Sequence, residues 1–242
     1  MCGRYYRRSD KQRIAEAFGL GELGDLVLEE NYNVAPSTFQ PVIRVGRETD
    51  ERELVLMRWG LVPFFAKSLE AFKGFSTGFS TINARAETVA TSGTFRVPFQ
   101  RRRCLVPVDG FYEWKTTTLE PEAGARSKKP KVVKEPFAFS MKDGRPFALA
   151  GLWDAWKEPD GGWLQSFSIV TTEANAVMAP VHTRMPVIVH ERDYGEWLAR
   201  GDDVRPPVHL LRVFEAEGMR RDACNPLVGN VRNNGAEMLN SA

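Results

Sequence analysis

The chain is 242 residues long, with 43% hydrophobic, 26% charged and 11% aromatic residues, which places it among ordinary globular proteins, with one large domain or two small ones and a real core. Thirty-three Lys and Arg against thirty-one Asp and Glu leave a formal charge of +2, so a nucleic-acid partner is not announced by charge alone and must be argued from placement. No apolar run of membrane-spanning length and no secretory h-region is present, so the expected location is the cytoplasm.

In chain order, Ser9 is the expected cap of a surface-lying helix with Ile14, Ala15 and Phe18 on one face and Gly19 at its C-terminal cap. Short apolar runs bounded by turn residues then predict strands at 41–45, 53–62, 103–108, 110–115, 136–141, 146–153, 163–172 and 186–189. The turn signals Lys142-Asp143-Gly144 and Pro159-Asp160-Gly161-Gly162 suggest an antiparallel meander. Helical patterns are short, at 84–91, 173–179 (with Thr172 and Glu173 at its start) and 191–200. Residues 116–135, rich in Thr, Lys, Pro and Glu, read as a mobile surface loop. The expected class is α+β, a single β-rich domain spanning residues 1–242 with short flanking helices.

Three cysteines without CxxC spacing argue against a disulfide framework or a structural zinc site. Cys2 follows the initiator methionine directly, and removal of Met1 would give it a free α-amine beside its thiol. An α-amine is roughly 10–20% neutral at pH 7 against about 0.04% for a lysine, so it is the better nucleophile toward a carbonyl. The neighbouring sulfur can then close a five-membered thiazolidine ring on the imine. The bland reading of Cys2 is a small residue tucked into the first strand.

Further along, Asn83-Ala84-Arg85-Ala86-Glu87 follows a β-like GFSTI run and sets an amide and a guanidinium at an element boundary. The alternative is Asn83 as helix cap with solvated charges at 85 and 87. In Gly110-Phe111-Tyr112-Glu113-Trp114, alternation puts Glu113 on the face of Phe111 and Lys115, opposite Tyr112 and Trp114, where a carboxyl of raised pKa could act as acid and base. It reads equally as an exposed strand residue. His182 and Arg184, in His-Thr-Arg-Met-Pro, lie at the start of a strand, where His182 is either a proton carrier or structural. No metal-ligand spacing is found. Basic clusters lie at Arg4 to Lys11, Arg101 to Arg103 and Lys128 to Lys134, and acids gather at Glu22 to Glu30.

Taken together, Cys2 to Arg4, Tyr32 to Pro36, Arg58 to Pro63, Asn83 to Glu87, Gly110 to Trp114, His182 to Pro186 and Val231 to Asn233 resemble the ordered motifs of the SOS response-associated peptidase (SRAP) family. Val-Arg-Asn at 231–233 departs mildly from the family's Val-Asn-Asn, and the 116–135 loop is longer than usual. The resemblance implies a mixed α/β fold around a barrel-like sheet and covalent cross-linking to abasic sites in single-stranded DNA, including single-strand/double-strand junctions, by a monomer without cofactor or metal. It assigns Cys2, Asn83, Glu113 and His182 to catalysis. It further assigns Arg4, Arg85 and Arg184 to phosphates, and Asn33, Pro36 and Trp59 to a surface that stacks on or wedges against bases. Two other readings are an N-terminal-Cys amidohydrolase or peptidase, whose glutamine-binding segments are not found here, and a single-stranded DNA-binding module without chemistry. The family name is expected to reflect processing of the protein's own Met1.

Overall fold

The computed structural model describes residues 2–21, 23, 26–69, 81–119, 130–201 and 203–241. Five strands form a ring: β3 (Phe39–Val45), β4 (Arg52–Trp59), β6 (Arg103–Val108), β9 (Phe147–Lys157) and β10 (Trp163–Glu173). The ring order is β10-β4-β3-β6-β9, and β9 pairs back onto β10 to close it. All its pairings are antiparallel except β4 with β10, where Ser166 lies beside Arg58 and Phe167 beside Trp59. Closure removes the exposed edges that an open sheet of such apolar strands would present. Beside β10 lie β5 (Asn83–Arg85), parallel to it, and β11 (Arg184–Pro186), antiparallel, while β12 (Ile188–Val189) pairs with β9.

A second sheet of five strands has the order β13-β8-β7-β1-β2. It contains β1 (Tyr5–Arg7), β2 (Asn31–Val34), β7 (Gly110–Leu119), β8 (Lys131–Met141) and β13 (Met219–Ala223). One buried cluster joins the two sheets through Cys2, Tyr5, Trp59, Phe111, Phe139 and Phe167. The opposite face of the barrel strands feeds another, where Ile43, Leu105 and Val170 meet α1 (Lys11–Phe18), α2 (Arg96–Arg101) and α3 (Tyr194–Leu198). Period-2 alternation along the barrel strands supplies both cores at once, which is why these runs are apolar at almost every position. Among the described residues no helix is long and apolar enough to cross a membrane.

All eight expected runs are strands, with four adjustments. The run at 53–62 stops as a strand at Trp59, because Gly60 turns the chain with φ +113. The run at 186–189 is interrupted at Val187, whose N–H donates to Val170 O at 2.8 Å. Residues 116–119 and 131–135, expected in a mobile loop, are instead strand, paired from Thr116↔Lys134 to Leu119↔Lys131; polar side chains there still satisfy a backbone ladder. The centre of that segment, 120–129, lies outside the described residues, as does most of the GFSTI run. The expected meander holds only for β9 and β10, whose turn uses Gly161 at φ +95. Lys142-Asp143-Gly144 carries the chain from one sheet to the other instead of joining paired strands.

The helix over 11–18 forms with Gly19 left-handed at φ 60, but Asp10 caps it, accepting from Arg13 N at 2.8 Å. Ser9 is drawn away by Asp109, which takes its hydroxyl at 2.7 Å and its N–H at 2.8 Å. Of the other helical patterns only 191–200 is helical, a single 3₁₀ turn leading into α3. Residues 83–85 are strand, and Thr172 and Glu173 end β10. At 175–178 the side chain of Asn175 accepts from Val177 N and Met178 N to make a turn. Short polar strands (β1, β2, β5, β13) and α2 have no strong periodic signature and were not expected.

Candidate functional site

The N-terminal strand sets the site. Tyr5 lies opposite Phe111 on one side and Val34 on the other, and Arg4 O accepts from Tyr112 N at 2.9 Å, so the chain before β1 runs beside Glu113. Two residues hold this register. Asp109 accepts from the N–H groups of Arg8 and Ser9, both at 2.8 Å. At Gly110 an added Cβ would lie 2.4 Å from the Tyr6 ring and 2.5 Å from Phe139 O, so only glycine lets β1 close on β7.

Cys2 is completely buried, and Glu113 is 5% exposed. The expected alternation holds: Phe111 faces the cluster that contains Cys2, while Tyr112 packs on the other face with Tyr6, Cys224 and Val228. Burial raises the Cys2 thiol pKa well above the ordinary thiol range, and the nearby Glu113 charge raises it further. Burial also raises the pKa of the Glu113 carboxyl, against the opposing positive field of His182. Glu113 therefore lies within electrostatic reach of both Cys2 and His182.

His182 precedes β11, and its Nδ1 accepts from Arg184 N at 2.9 Å. A contact of the same nitrogen with Arg184 O at 3.2 Å would require the other tautomer. Because a backbone N–H can only donate, the shorter bond makes Nδ1 an acceptor. Asn83 opens β5 opposite Ile169 and is 8% exposed. Its amide nitrogen donates to Ile82 O at 3.1 Å, while its Oδ1 is buried without a hydrogen-bond partner among the described residues. An unmet acceptor of this kind is costly to bury and has room for a donor from water or a ligand.

Two clefts flank these residues. One, of about 570 Å³, is lined by Gly3, Arg4, Pro36, Ser37, Arg58 and Gly60 among others. The other, of about 640 Å³, is lined by Arg4, Glu113, Trp114, Lys134, His182 and Pro226 among others. Arg4 belongs to both. Its guanidinium lies 5.7 Å from the Trp114 ring centroid and donates to Asn33 Oδ1 at 2.6 Å and Val228 O at 2.8 Å.

Not every expected contact residue has a free surface. Trp59 is fully buried, its ring 5.1 Å from Tyr5 and stacked at 6.2 Å on Phe167, with Nε1 donating to Ile82 O at 3.0 Å. No face of the ring is open to a base, and burying so large an aromatic holds the two sheets together. Asn33 is 4% exposed and spends its amide on Val228 O, Asn230 O and Asn233 O, so it ties β2 to the C-terminal segment. Pro36 is half-buried at the cleft wall and Arg85 is exposed. Arg184 is half-buried, donating to both Glu87 carboxylate oxygens at 2.5 and 3.0 Å and to Thr171 O at 2.6 Å.

Sequence reasoning missed Arg58, Ser37, Trp114, Lys134 and Asp109. Arg58 is buried and reaches Gly60 O at 2.8 Å and Ser37 Oγ at 3.0 Å, and Ser37 has φ +70, an uncommon conformation for a side-chain-bearing residue. Trp114 and Arg58 stand inside motifs quoted from the sequence and Lys134 inside a basic cluster, whereas Ser37 and Asp109 carry no such signal.

The sequence matches the family described as SOS response associated peptidase (SRAP) over residues 1–231. It is 34% identical over 243 residues to the abasic site processing protein YoqW of Bacillus subtilis, covering 100% of each chain. It is 31% identical over 235 residues to the abasic site processing protein HMCES of Mus musculus, covering 86% of this chain and 64% of that one. A crystal structure of a protein from Bacteroides thetaiotaomicron superposes with a TM-score of 0.80 at 26% identity, with full coverage of both chains. With its ordered motifs, its closed barrel and these relatives in agreement, the chain belongs to the SRAP family.

Proposed function

We propose that this protein captures abasic sites in single-stranded DNA covalently, through a thiazolidine on Cys2 formed after Met1 is removed. The observation that carries the reading is the burial of Cys2 beside a carboxyl of raised pKa, with His182 in reach of the same carboxyl. Family membership and relatives named for abasic site processing support it.

The chemistry follows from the protonation states. A thiol held neutral by burial is the slower nucleophile, so the α-amine attacks the open-chain aldehyde first and water leaves to give an imine. The sulfur then adds to the carbon of the protonated imine, whose N–H becomes that of the ring, the thiol proton leaves to Glu113, and the net reaction releases one water. Glu113, protonated more readily than an ordinary carboxyl, donates to the departing oxygen and then receives the thiol proton. His182 serves sugar-ring opening and the reverse reaction. The unmet Asn83 Oδ1 accepts from the amine. Arg85 and Arg184 hold flanking phosphates, with Arg184 redirected from Glu87 when DNA binds.

The test is intact-mass analysis after incubation with an oligonucleotide that carries one abasic site. Wild-type protein is expected to gain the oligonucleotide mass less one water, attached at Cys2 and stable to heat. Cys2→Ser should give only an imine trapped by borohydride. A heat-stable adduct in Cys2→Ser without reductant refutes the thiazolidine, and no adduct on wild-type protein lacking Met1 refutes covalent capture.

A further inference from the structure

At the far end of β3 from the cleft that holds Ser37 lies a third cavity, of about 560 Å³, lined by Arg44, Arg47, Arg101, Arg102, Arg103 and Arg200 around Trp153. Six residues separate Phe39 from Val45 along β3, so the two sites are about 20 Å apart at 3.3 Å per residue. Arg44 and Arg102 lie 4.6 and 5.9 Å from the Trp153 ring centroid, an arrangement that pre-orders both guanidiniums.

The cavity's carboxylates leave positive charge over. Glu53 pairs with Arg44 at 2.7 Å, Asp154 with Arg102 at 2.8 Å and Asp50 with Arg200 at 3.0 Å. Arg103 is buried among main-chain carbonyls of Trp197, Phe99, Gln100 and Ala199. Arg47 is exposed and makes no ion pair among the described residues. Arg44 commits its Nε to Glu53 and one Nη to Gln165, so N–H donors remain for a ligand. On the same face of β10, two residues from Gln165, Trp163 is 64% exposed and lies opposite the exposed Lys157. Guanidiniums beside an open aromatic are what a single strand needs, the first for phosphates and the second for base stacking.

We infer that this arginine cavity and Trp163 form a second nucleic-acid surface, which grips the backbone of a single strand about 20 Å along β3 from the Ser37 cleft. It stands apart from the cross-linking reading, because undamaged DNA is a sufficient ligand.

The experiment compares wild type with the triple variant Arg44→Gln, Arg47→Gln, Arg200→Gln, using an undamaged 30-nucleotide single strand and a seven-nucleotide strand with a central abasic site. About tenfold weaker binding of the long strand is expected, with the salt slope reduced by about 2, since three lost phosphate contacts count about 0.7 each. The short strand should react at the wild-type rate. Unchanged affinity and slope for the long strand overturn the inference, as does an equal loss on both strands. Should the triple variant fail to fold, Trp163→Ala decides: weaker long-strand binding supports the surface, and wild-type binding overturns it. Arginine-dependent binding of the long strand with no adduct on the short one would sink the cross-linking reading and leave this surface standing.

Discussion

Arg4 and Asn33 are joined by a 2.6 Å hydrogen bond from the guanidinium to the amide oxygen, and the same Asn33 donates to three carbonyls between Val228 and Asn233. One buried amide thus fastens the strand after Cys2 to β2 and to the C-terminal segment. Asn33→Ala leaves these groups unpaired and is expected to cost about 2–4 kcal/mol. Thermal denaturation should show Tm lower by roughly 5–15 °C for a domain of this size. Affinity for undamaged single strands should hardly change, and a selective loss of DNA affinity at unchanged Tm would return Asn33 to the contact surface.

Gly110 is the closest approach of β1 to β7. Because a Cβ there would meet the Tyr6 ring and Phe139 O inside van der Waals distance, Gly110→Ala must push the strands apart. Overpacking of this kind costs about 1–3 kcal/mol. The displacement also carries Cys2 away from Glu113, so Tm and adduct yield should fall together. A variant with lowered Tm and wild-type adduct rate would show that this register does not position Cys2.

Burial of Glu113 costs stability. Its pKa is raised in the folded protein by burial, so folding favours the protonated form and the ionised form costs stability at any pH above the unfolded pKa. Glu113→Gln removes that cost and should raise Tm near neutral pH. The gain should disappear as pH falls through the unfolded carboxylate range, where both states are protonated. Adduct formation in the same variant should slow at least tenfold, and release of a preformed adduct should slow as well. A variant that is less stable at neutral pH, or that reacts at the wild-type rate, contradicts this assignment.

Arg85 and Arg184 should separate in their effects. Arg85 is exposed, so Arg85→Gln is expected to reduce the salt slope of single-strand binding by about 0.7 with no change in Tm. Arg184 also bonds Glu87 and Thr171 O. Arg184→Gln should therefore lose stability as well, about 1 kcal/mol after screening of the half-exposed Glu87. The hydrogen bond from Arg184 lowers the Glu87 pKa, so this contribution is present above the unfolded carboxylate pKa and is lost as pH falls through the folded one. Urea titrations at pH 7 and pH 3 check it, and an equal difference at both pH values would exclude the ion pair as its source.

The long apolar strands, the helix that Gly19 ends and the face on which Glu113 lies could all be read from the sequence, because each depends on periodicity or on the conformational range of one residue. The role proposed for Cys2 rests on the same kind of reading, a property of the residue and its place in the chain. Tertiary structure alone decided what depends on partners distant in sequence. Ser9 leaves the helix cap to Asp10 because Asp109, a hundred residues away, takes its hydroxyl, and Thr116 to Leu119 became strand because Lys131 to Lys134 lay opposite. Trp59 and Asn33, which the family resemblance assigns to a base-contact surface, are held by the core and by the C-terminal segment. The arginine cavity escaped notice because Arg44, Arg101 to Arg103 and Arg200 come from separate elements, and only closure of the barrel brings their charges around one indole.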